Sequence, residues 1–242
     1  MDPAAPDRTT RREEVLVVLS LSLLASAVFA ILELFSAPLS GVAVASVSQS
    51  TDVIRQVLGV VFGLAPVWLV FHLLRRSGEP AEAIGFAWNS PREDLARGLA
   101  LFAVVGIGGI GLYSAAVAMH VNRFVDPAPP LGHWWTVPIL LITAVQAALL
   151  EEVIASGYLL TRLGQLGWST ATAIGASSVL RGSYHLYQGW GGFAGNLAMG
   201  ALFGAVFLRT RRAWPLAIAH FLLDTGAGVI FILFHSHLPG FT

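Results

Sequence analysis

Residues 136–160 read TVPILLITAVQAALLEEVIASGYLL, a run whose only charged side chains are the adjacent Glu151 and Glu152. A helix of about 20 apolar residues is long enough to cross the hydrocarbon core of a bilayer. Similar runs recur along the chain, which is 55% hydrophobic and only 12% charged, about half the charged fraction of a soluble domain. The sequence therefore predicts an all-α, polytopic transmembrane helical bundle.

We predict about seven membrane spans, separated by short connections that hold most of the Pro, Asp and Arg residues. Their predicted positions are 15–37, 53–74, 98–121, 136–160, 168–187, 191–208 and 214–235. The first 14 residues are polar and are predicted to form a tail. The apolar run after the tail is too long for the core of a signal peptide, so we interpret it as a retained span.

The distribution of arginine predicts the topology. With the N-terminus in the cytoplasm, the tail and the second, fourth and sixth connections, which carry most of the arginines, all lie inside. Arg123 is the one arginine of an outer connection in this arrangement. This asymmetry follows the positive-inside rule and predicts a multi-pass protein of the cell membrane. The use of arginine alone as the basic residue, together with the many alanines, indicates a bacterial source.

Composition also excludes several classes of chemistry. The chain has no cysteine, which excludes disulfides and cysteine-ligated metals. It has no lysine, which excludes a Schiff-base mechanism. The formal net charge is +0, so nothing indicates a nucleic-acid partner.

Several ionisable side chains are predicted to lie at membrane depth, where each costs roughly 2.5–3.5 kcal/mol even on the most lenient scale. Six of them fall on three spans: Glu151 and Glu152, Arg181 and His185, and His220 and Asp224. The second and third pairs have i,i+4 spacing, so each pair occupies one helix face. The adjacent glutamates point about 100° apart, so at most one aims squarely at a shared cavity and the other needs its own partner or a proton.

These groups are either structural ion pairs or the lining of a catalytic or transport cavity. In a catalytic cavity, a glutamate aided by an imidazole could take a proton from water, and a histidine could stabilise an oxyanion. Alternatively, His185, His220 and a glutamate could hold zinc with an open position for water. The sequence has no HExxH motif, so a zincin-type site is not supported. Spacing alone does not choose between water activated by glutamate and water activated by metal.

Three short motifs carry a resemblance to a known family. They are EEVIASG at 151–157, RGSYH at 181–185 and HFLLD at 220–224. In this order on successive spans, they resemble the CAAX-protease and bacteriocin-processing family, also called the Abi family, over roughly residues 138–234. The resemblance therefore divides the chain into a cytoplasmic tail at 1–14, an N-terminal transmembrane region at 15–134 and an Abi-like catalytic transmembrane region at 135–242.

The resemblance implies an intramembrane endopeptidase, because the family includes membrane-embedded proteases that trim prenylated CAAX proteins. It implies that Glu151 activates water with help from His185, and that His220 and Asp224 stabilise the oxyanion. The enzyme is then glutamate-dependent or metal-dependent; a divalent metal such as zinc would be held by Glu151, His185 and His220. The expected partners are membrane lipid and a peptide or membrane-protein substrate, and the oligomeric state is left open.

The sequence departs from the family pattern at two positions. Ser156 stands where the family has an arginine, and Arg181 stands where it has an aromatic residue. The family arginine would lie one turn from Glu152 and neutralise it. We therefore expect Arg181 to supply that charge from the neighbouring helix, with Ser156 and Asn196 as further supporting residues.

The predicted depth of His185 conflicts with that of the other site residues. At about 1.5 Å per residue, Glu151 and His220 lie roughly 10–13 Å from the cytoplasmic ends of their spans, and His185 lies about twice as deep. The fifth span is therefore tilted or broken, or its boundaries are wrong by a turn or more.

Two rival functions remain open at this point. One is a non-catalytic membrane protein that binds a partner, as in self-immunity. The other is a proton-coupled transporter in which Glu151 and Asp224 carry protons.

Overall fold

Helices make up most of the computed structural model, which describes residues 6–36, 42–44 and 51–237. The all-α fold class is thus confirmed. The α-helices are α1 (Arg8–Ser20), α2 (Leu23–Ser36), α3 (Val53–Gly63), α4 (Ala65–Arg76), α5 (Pro91–Ala118), α6 (Thr136–Glu151), α7 (Leu160–Gln165), α8 (Thr170–Tyr184), α9 (Trp190–Thr210) and α10 (Trp214–Phe234). A π-helix, Glu152–Leu159, joins α6 to α7, and short 3₁₀ turns occupy Ala81–Ile84, Leu186–Gln188 and His235–His237. Two short strands, β1 (Val42–Val44) and β2 (Phe124–Asp126), pair in parallel.

Long apolar helical segments in the described part of the chain match five of the predicted spans. By length and composition, 5 segments could cross a membrane: Val53–Arg76, Pro91–Ala118, Thr136–Gln165, Trp190–Thr210 and Trp214–Phe234. The pair α1 and α2, bent by 46°, is a sixth span if it is counted as one. The chain is therefore a multi-pass membrane protein.

The predicted span 168–187 is shorter in the structure. Helix α8 has 15 residues, or about 22 Å at 1.5 Å per residue, against a hydrocarbon core of about 30 Å. It ends at Tyr184 with His185 as its C-cap, and Gly189 (φ 110°) directly precedes α9. Polar groups of α8 bond within the protein; Ser177 Oγ, for example, donates to the carbonyl of Ala155 at 2.9 Å. The predicted span is therefore broken at His185 and does not continue as one helix to residue 187.

Connections predicted to lie on the cytoplasmic side meet at one end of the bundle. Arg162 donates to both carboxylate oxygens of Glu79, at 2.7 and 2.9 Å, and Arg212 donates to both oxygens of Asp94. At the same end, the 3₁₀ turn before Gly85 packs beneath the bundle and buries Ile84 completely. These contacts agree with the prediction that these connections lie on the same side of the membrane. That this side is the cytoplasmic one stays a prediction.

The close approach of this turn to the π-helix depends on Gly157. A Cβ added at Gly157 would lie 2.7 Å from the carbonyl oxygen of Ile84, which belongs to the backbone and cannot rotate away. We expect Gly157→Ala to lower the free energy of unfolding by about 1–3 kcal/mol, because the added methyl group overpacks this contact. Thermal unfolding of the purified protein in detergent measures the effect.

Gly164→Ala in α7 is the matched control, because a Cβ at Gly164 would have no neighbour within 4 Å. This substitution should be neutral or stabilising, since alanine has the higher helix propensity. Equal unfolding midpoints for the two variants would contradict the assigned contact.

Candidate active site

The two glutamates lie where the backbone changes from α-helix to π-helix. Glu151 is the last residue of α6, and Glu152 is the first residue of the π-helix. π-Helical turns are rare and occur frequently at functional sites. The π-helix begins at Glu152, so the wider turn starts directly between the two predicted site carboxylates.

Glu152 is completely buried, and both of its carboxylate oxygens have partners. Oε1 accepts a hydrogen bond from Arg181 Nη2 and lies 2.9 Å from His220 Nδ1. Oε2 accepts from Ser156 Oγ at 2.5 Å. The expected ion pair between Arg181 and Glu152 is therefore present, and the serine found in place of the family arginine binds the same carboxylate.

Arg181 itself is buried to 1% exposure and holds the carboxylates of two helical segments together. Besides its bond to Glu152, its Nη1 atom lies 3.7 Å from Glu151 Oε2. Its guanidinium carbon lies 5.4 Å from the centre of the Phe203 ring on α9. A buried charge of this kind is stable only where opposite charges surround it, as they do here.

Glu151 has a more open environment than Glu152. Its side chain is 12% exposed, and Oε2 accepts a hydrogen bond of 2.6 Å from the hydroxyl of Tyr184. Within the described residues, its second oxygen accepts no hydrogen bond. Of the two adjacent carboxylates, Glu151 is thus the one with an oxygen available to a substrate or a water molecule.

The two histidines approach the carboxylates from different helices. His220 Nδ1 faces Glu152 on one side, and its Nε2 lies 3.5 Å from Asp224 Oδ2 on the other. The Nδ1 atom of His185 lies 3.0 Å from the carbonyl oxygen of Arg181. Because a carbonyl only accepts, this Nδ1 carries a proton, and in the neutral form of the ring Nε2 is an acceptor. The centre of the His185 ring lies 4.8 Å from that of Tyr184, whose hydroxyl binds Glu151.

Of the remaining predicted residues, Asp224 is the most accessible, with 41% of its side chain exposed. Asn196 donates to the carbonyl of Gly192 on its own helix at 3.0 Å, a local bond rather than a contact with the carboxylates. Sequence reasoning missed Tyr184. The available signal was its place directly before His185 and one turn after Arg181, which puts its hydroxyl on the same side of α8 as the guanidinium.

The predicted zinc ligands do not form a metal site in the described part of the chain. No group of three His, Asp or Glu side chains has the required arrangement there. Nδ1 of His220 is directed at Glu152, and the guanidinium of Arg181 contacts the same carboxylate. Arg181 Nη1 also lies 3.7 Å from Oε2 of the predicted ligand Glu151, so a divalent cation bound there would face a positive charge and the donor set does not fit zinc.

Comparison with known proteins supports the resemblance carried by the three motifs. Residues 133–226 match a family described as type II CAAX prenyl endopeptidase Rce1-like. The matched region contains both glutamates, Arg181, both histidines and Asp224. The match confirms the resemblance to the CAAX-protease family over this part of the chain. No curated protein and no solved structure matches the chain.

Proposed function

We propose that the chain is an intramembrane endopeptidase of the CAAX type, with the catalytic region at 135–242. The observation that carries the proposal is the asymmetry of the two glutamates within the family-matched region. Glu152 is buried and fully paired, whereas Glu151 is partly exposed and has an open oxygen. One carboxylate is thus suited to hold the site together and the other to perform chemistry.

Glu151 is the proposed general base that takes a proton from the attacking water. Its Oε2 is anchored by the hydroxyl of Tyr184, which leaves Oε1 to bind the water molecule. His185 supports the same step, because its Nε2 can accept a hydrogen bond from that water while Nδ1 is fixed by the backbone of Arg181. Both groups then orient water against the scissile carbonyl.

His220 and Asp224 are the proposed oxyanion-stabilising pair. Nδ1 of His220 is held by Glu152, whereas Nε2, 3.5 Å from Asp224, makes no hydrogen bond within the described residues and can donate to the oxyanion. A donor fixed in a buried site stabilises the negative oxygen of a tetrahedral intermediate better than the same donor in water does. Asp224, at the more exposed end of the pair, is where a substrate would first meet the site.

The proposed substrate is a peptide or membrane protein that is cut at or within the membrane. From the distribution of arginine, the cavity is proposed to open to the cytoplasm of a bacterial cell, with the N-terminus on the same side. A prenylated chain is the substrate class named in the description of the matched family. It forms one arm of the test.

The test uses purified protein in detergent with internally quenched peptides. One arm carries a C-terminal farnesylated cysteine motif, and the other has the same sequence without the lipid. We expect the wild type to cleave at least one of them, and His220→Ala to lower kcat by about 10²-fold or more through loss of oxyanion stabilisation. His72→Ala, at an exposed histidine of α4, is the matched control and should cleave like the wild type.

Undiminished cleavage by folded His220→Ala would remove the oxyanion role. Cleavage of neither peptide by the wild type would contradict the enzyme proposal. Substrate-dependent proton flux in liposomes, without hydrolysis, would favour a transporter instead.

A further inference from the structure

The turn that carries His185 is bound by a segment far from it in sequence. After α8, the chain passes through His185 and the 3₁₀ turn Leu186–Gln188, and α9 starts after Gly189. The segment before β2, which contains Asn122 and Arg123, lies directly against this turn. An antiparallel bridge joins Asn122 to Gly189.

Arg123 holds the middle of the turn by donating hydrogen bonds to the carbonyl oxygens of the turn residues. Its Nη1 donates to the carbonyl of Tyr187 at 2.5 Å, and its backbone amide donates to the carbonyl of Gln188 at 2.7 Å. The side chain is only 2% exposed, and its charge is met by Glu33 of α2. Nη1 lies 3.4 Å from Glu33 Oε1, and Nη2 donates to the Glu33 carbonyl at 3.2 Å.

Asn122 holds the far end of the turn, where α9 starts. Its Oδ1 accepts a hydrogen bond of 2.8 Å from the amide of Gly192, one of the amides that has no partner within the first turn of a helix. Its Nδ2 donates to the carbonyl of Arg123 at 3.1 Å, which fixes the two neighbours relative to each other. A Cβ at Gly189 would lie 2.6 Å from the carbonyl of Val121, so the two segments are in direct backbone contact.

We propose that Asn122 and Arg123 are positioning residues for His185, with Glu33 orienting Arg123. All three lie outside the family-matched region 133–226, so the N-terminal transmembrane region supplies part of the catalytic apparatus. The inference rests on the proposed function, because it assigns these residues a role through His185. Misplacing a catalytic group by about 1 Å can cost about 10²-fold in rate. Contacts that fix the turn after His185 therefore affect kcat directly.

The test measures kcat and KM of Arg123→Ala on the peptide that the wild type cleaves, with kcat expressed per mole of folded protein. We expect kcat to fall about 10- to 100-fold with KM nearly unchanged, since the Arg123 side chain is buried and offers no surface to a substrate. Arg123→Lys should recover part of kcat, because a lysine ammonium can donate to one of the acceptors. It cannot donate to both the Tyr187 and the Glu33 carbonyl oxygens as the forked guanidinium does. Arg97→Ala, which removes an exposed arginine paired with Glu93, should have no effect.

A purely structural role predicts another pattern: a smaller folded fraction with unchanged kcat per folded molecule and no specific recovery by lysine. That pattern would overturn the proposal. If Arg123→Ala does not fold, Glu33→Gln serves as the milder variant, with a smaller fall of kcat in the same direction. Wild-type kcat in folded Glu33→Gln would then overturn it.

The experiments distinguish an error in the positioning role of Arg123 from an error in the proposed function. If Glu151→Ala still cleaves the peptide, the proposed role of Glu151 is wrong whatever Arg123→Ala does, and if the wild type cleaves neither peptide, the proposed function is wrong. If Glu151→Ala is inactive while folded Arg123→Ala turns over like the wild type, only the positioning role is wrong.

Discussion

Glu151→Gln is expected to reduce peptide cleavage by about 10³-fold or more, because the amide cannot take a proton from water. The substitution keeps the size of the side chain, and glutamine can still accept the hydrogen bond from Tyr184 through its carbonyl oxygen. The loss should therefore fall on kcat and leave the unfolding temperature close to that of the wild type. Initial rates with the quenched peptide, measured beside thermal unfolding, separate the two effects.

Glu13→Gln provides the control for Glu151→Gln, because Glu13 is an exposed glutamate of α1. It should match the wild type in both rate and stability. Cleavage by Glu151→Gln within tenfold of the wild-type rate would exclude Glu151 as the base and leave the matched region without its main catalytic group.

Arg181→Met is expected to cost about 3–5 kcal/mol of stability, because it leaves the completely buried carboxylate of Glu152 without its cation. Methionine keeps an unbranched apolar chain against Phe203, so loss of charge dominates the effect. The variant should unfold at a markedly lower temperature. It should also lose activity, since Arg181 lies 3.7 Å from Glu151 as well.

The double variant Glu152→Gln with Arg181→Met tests this explanation through a mutant cycle. Removing both charges leaves no isolated buried ion, so the double variant should be more stable than Arg181→Met alone. Arg97→Met at the exposed ion pair should change stability by less than about 0.5 kcal/mol. Strictly additive losses for Glu152→Gln and Arg181→Met would show that the two groups do not stabilise each other.

Most of the membrane architecture could be predicted because hydrophobicity acts over about 20 consecutive residues and needs no tertiary information. Segments such as Pro91–Ala118 and Trp214–Phe234 each contain an apolar stretch long enough to cross a membrane, and both coincide with predicted spans. Helix α8 could not be delimited in this way. Its Ser177 and Arg181 bond inside the protein, and hydropathy does not distinguish such a helix from a span that faces lipid.

The ion pair of the site could be predicted because an unpaired charge at membrane depth is too costly to keep. That cost required a cation for Glu152, and Arg181, one turn before the motif histidine, was available. The partner of Glu33 was not predictable. It is Arg123, 90 positions away along the chain, and only the packing of α2 against the turn at Tyr187 brings them together.

The amino-acid sequence thus established that this is a membrane-embedded helical protein and that Glu152 needs a buried cation, because membrane burial makes an unpaired charge costly. Tertiary structure alone decided which glutamate keeps an open oxygen. The two are neighbours in sequence, but the π-helical turn directs Glu152 to Arg181, Ser156 and His220 and leaves Glu151 with Tyr184. It also decided that Asn122 and Arg123 bind the turn of His185, since contacts between distant segments depend on how the helices pack.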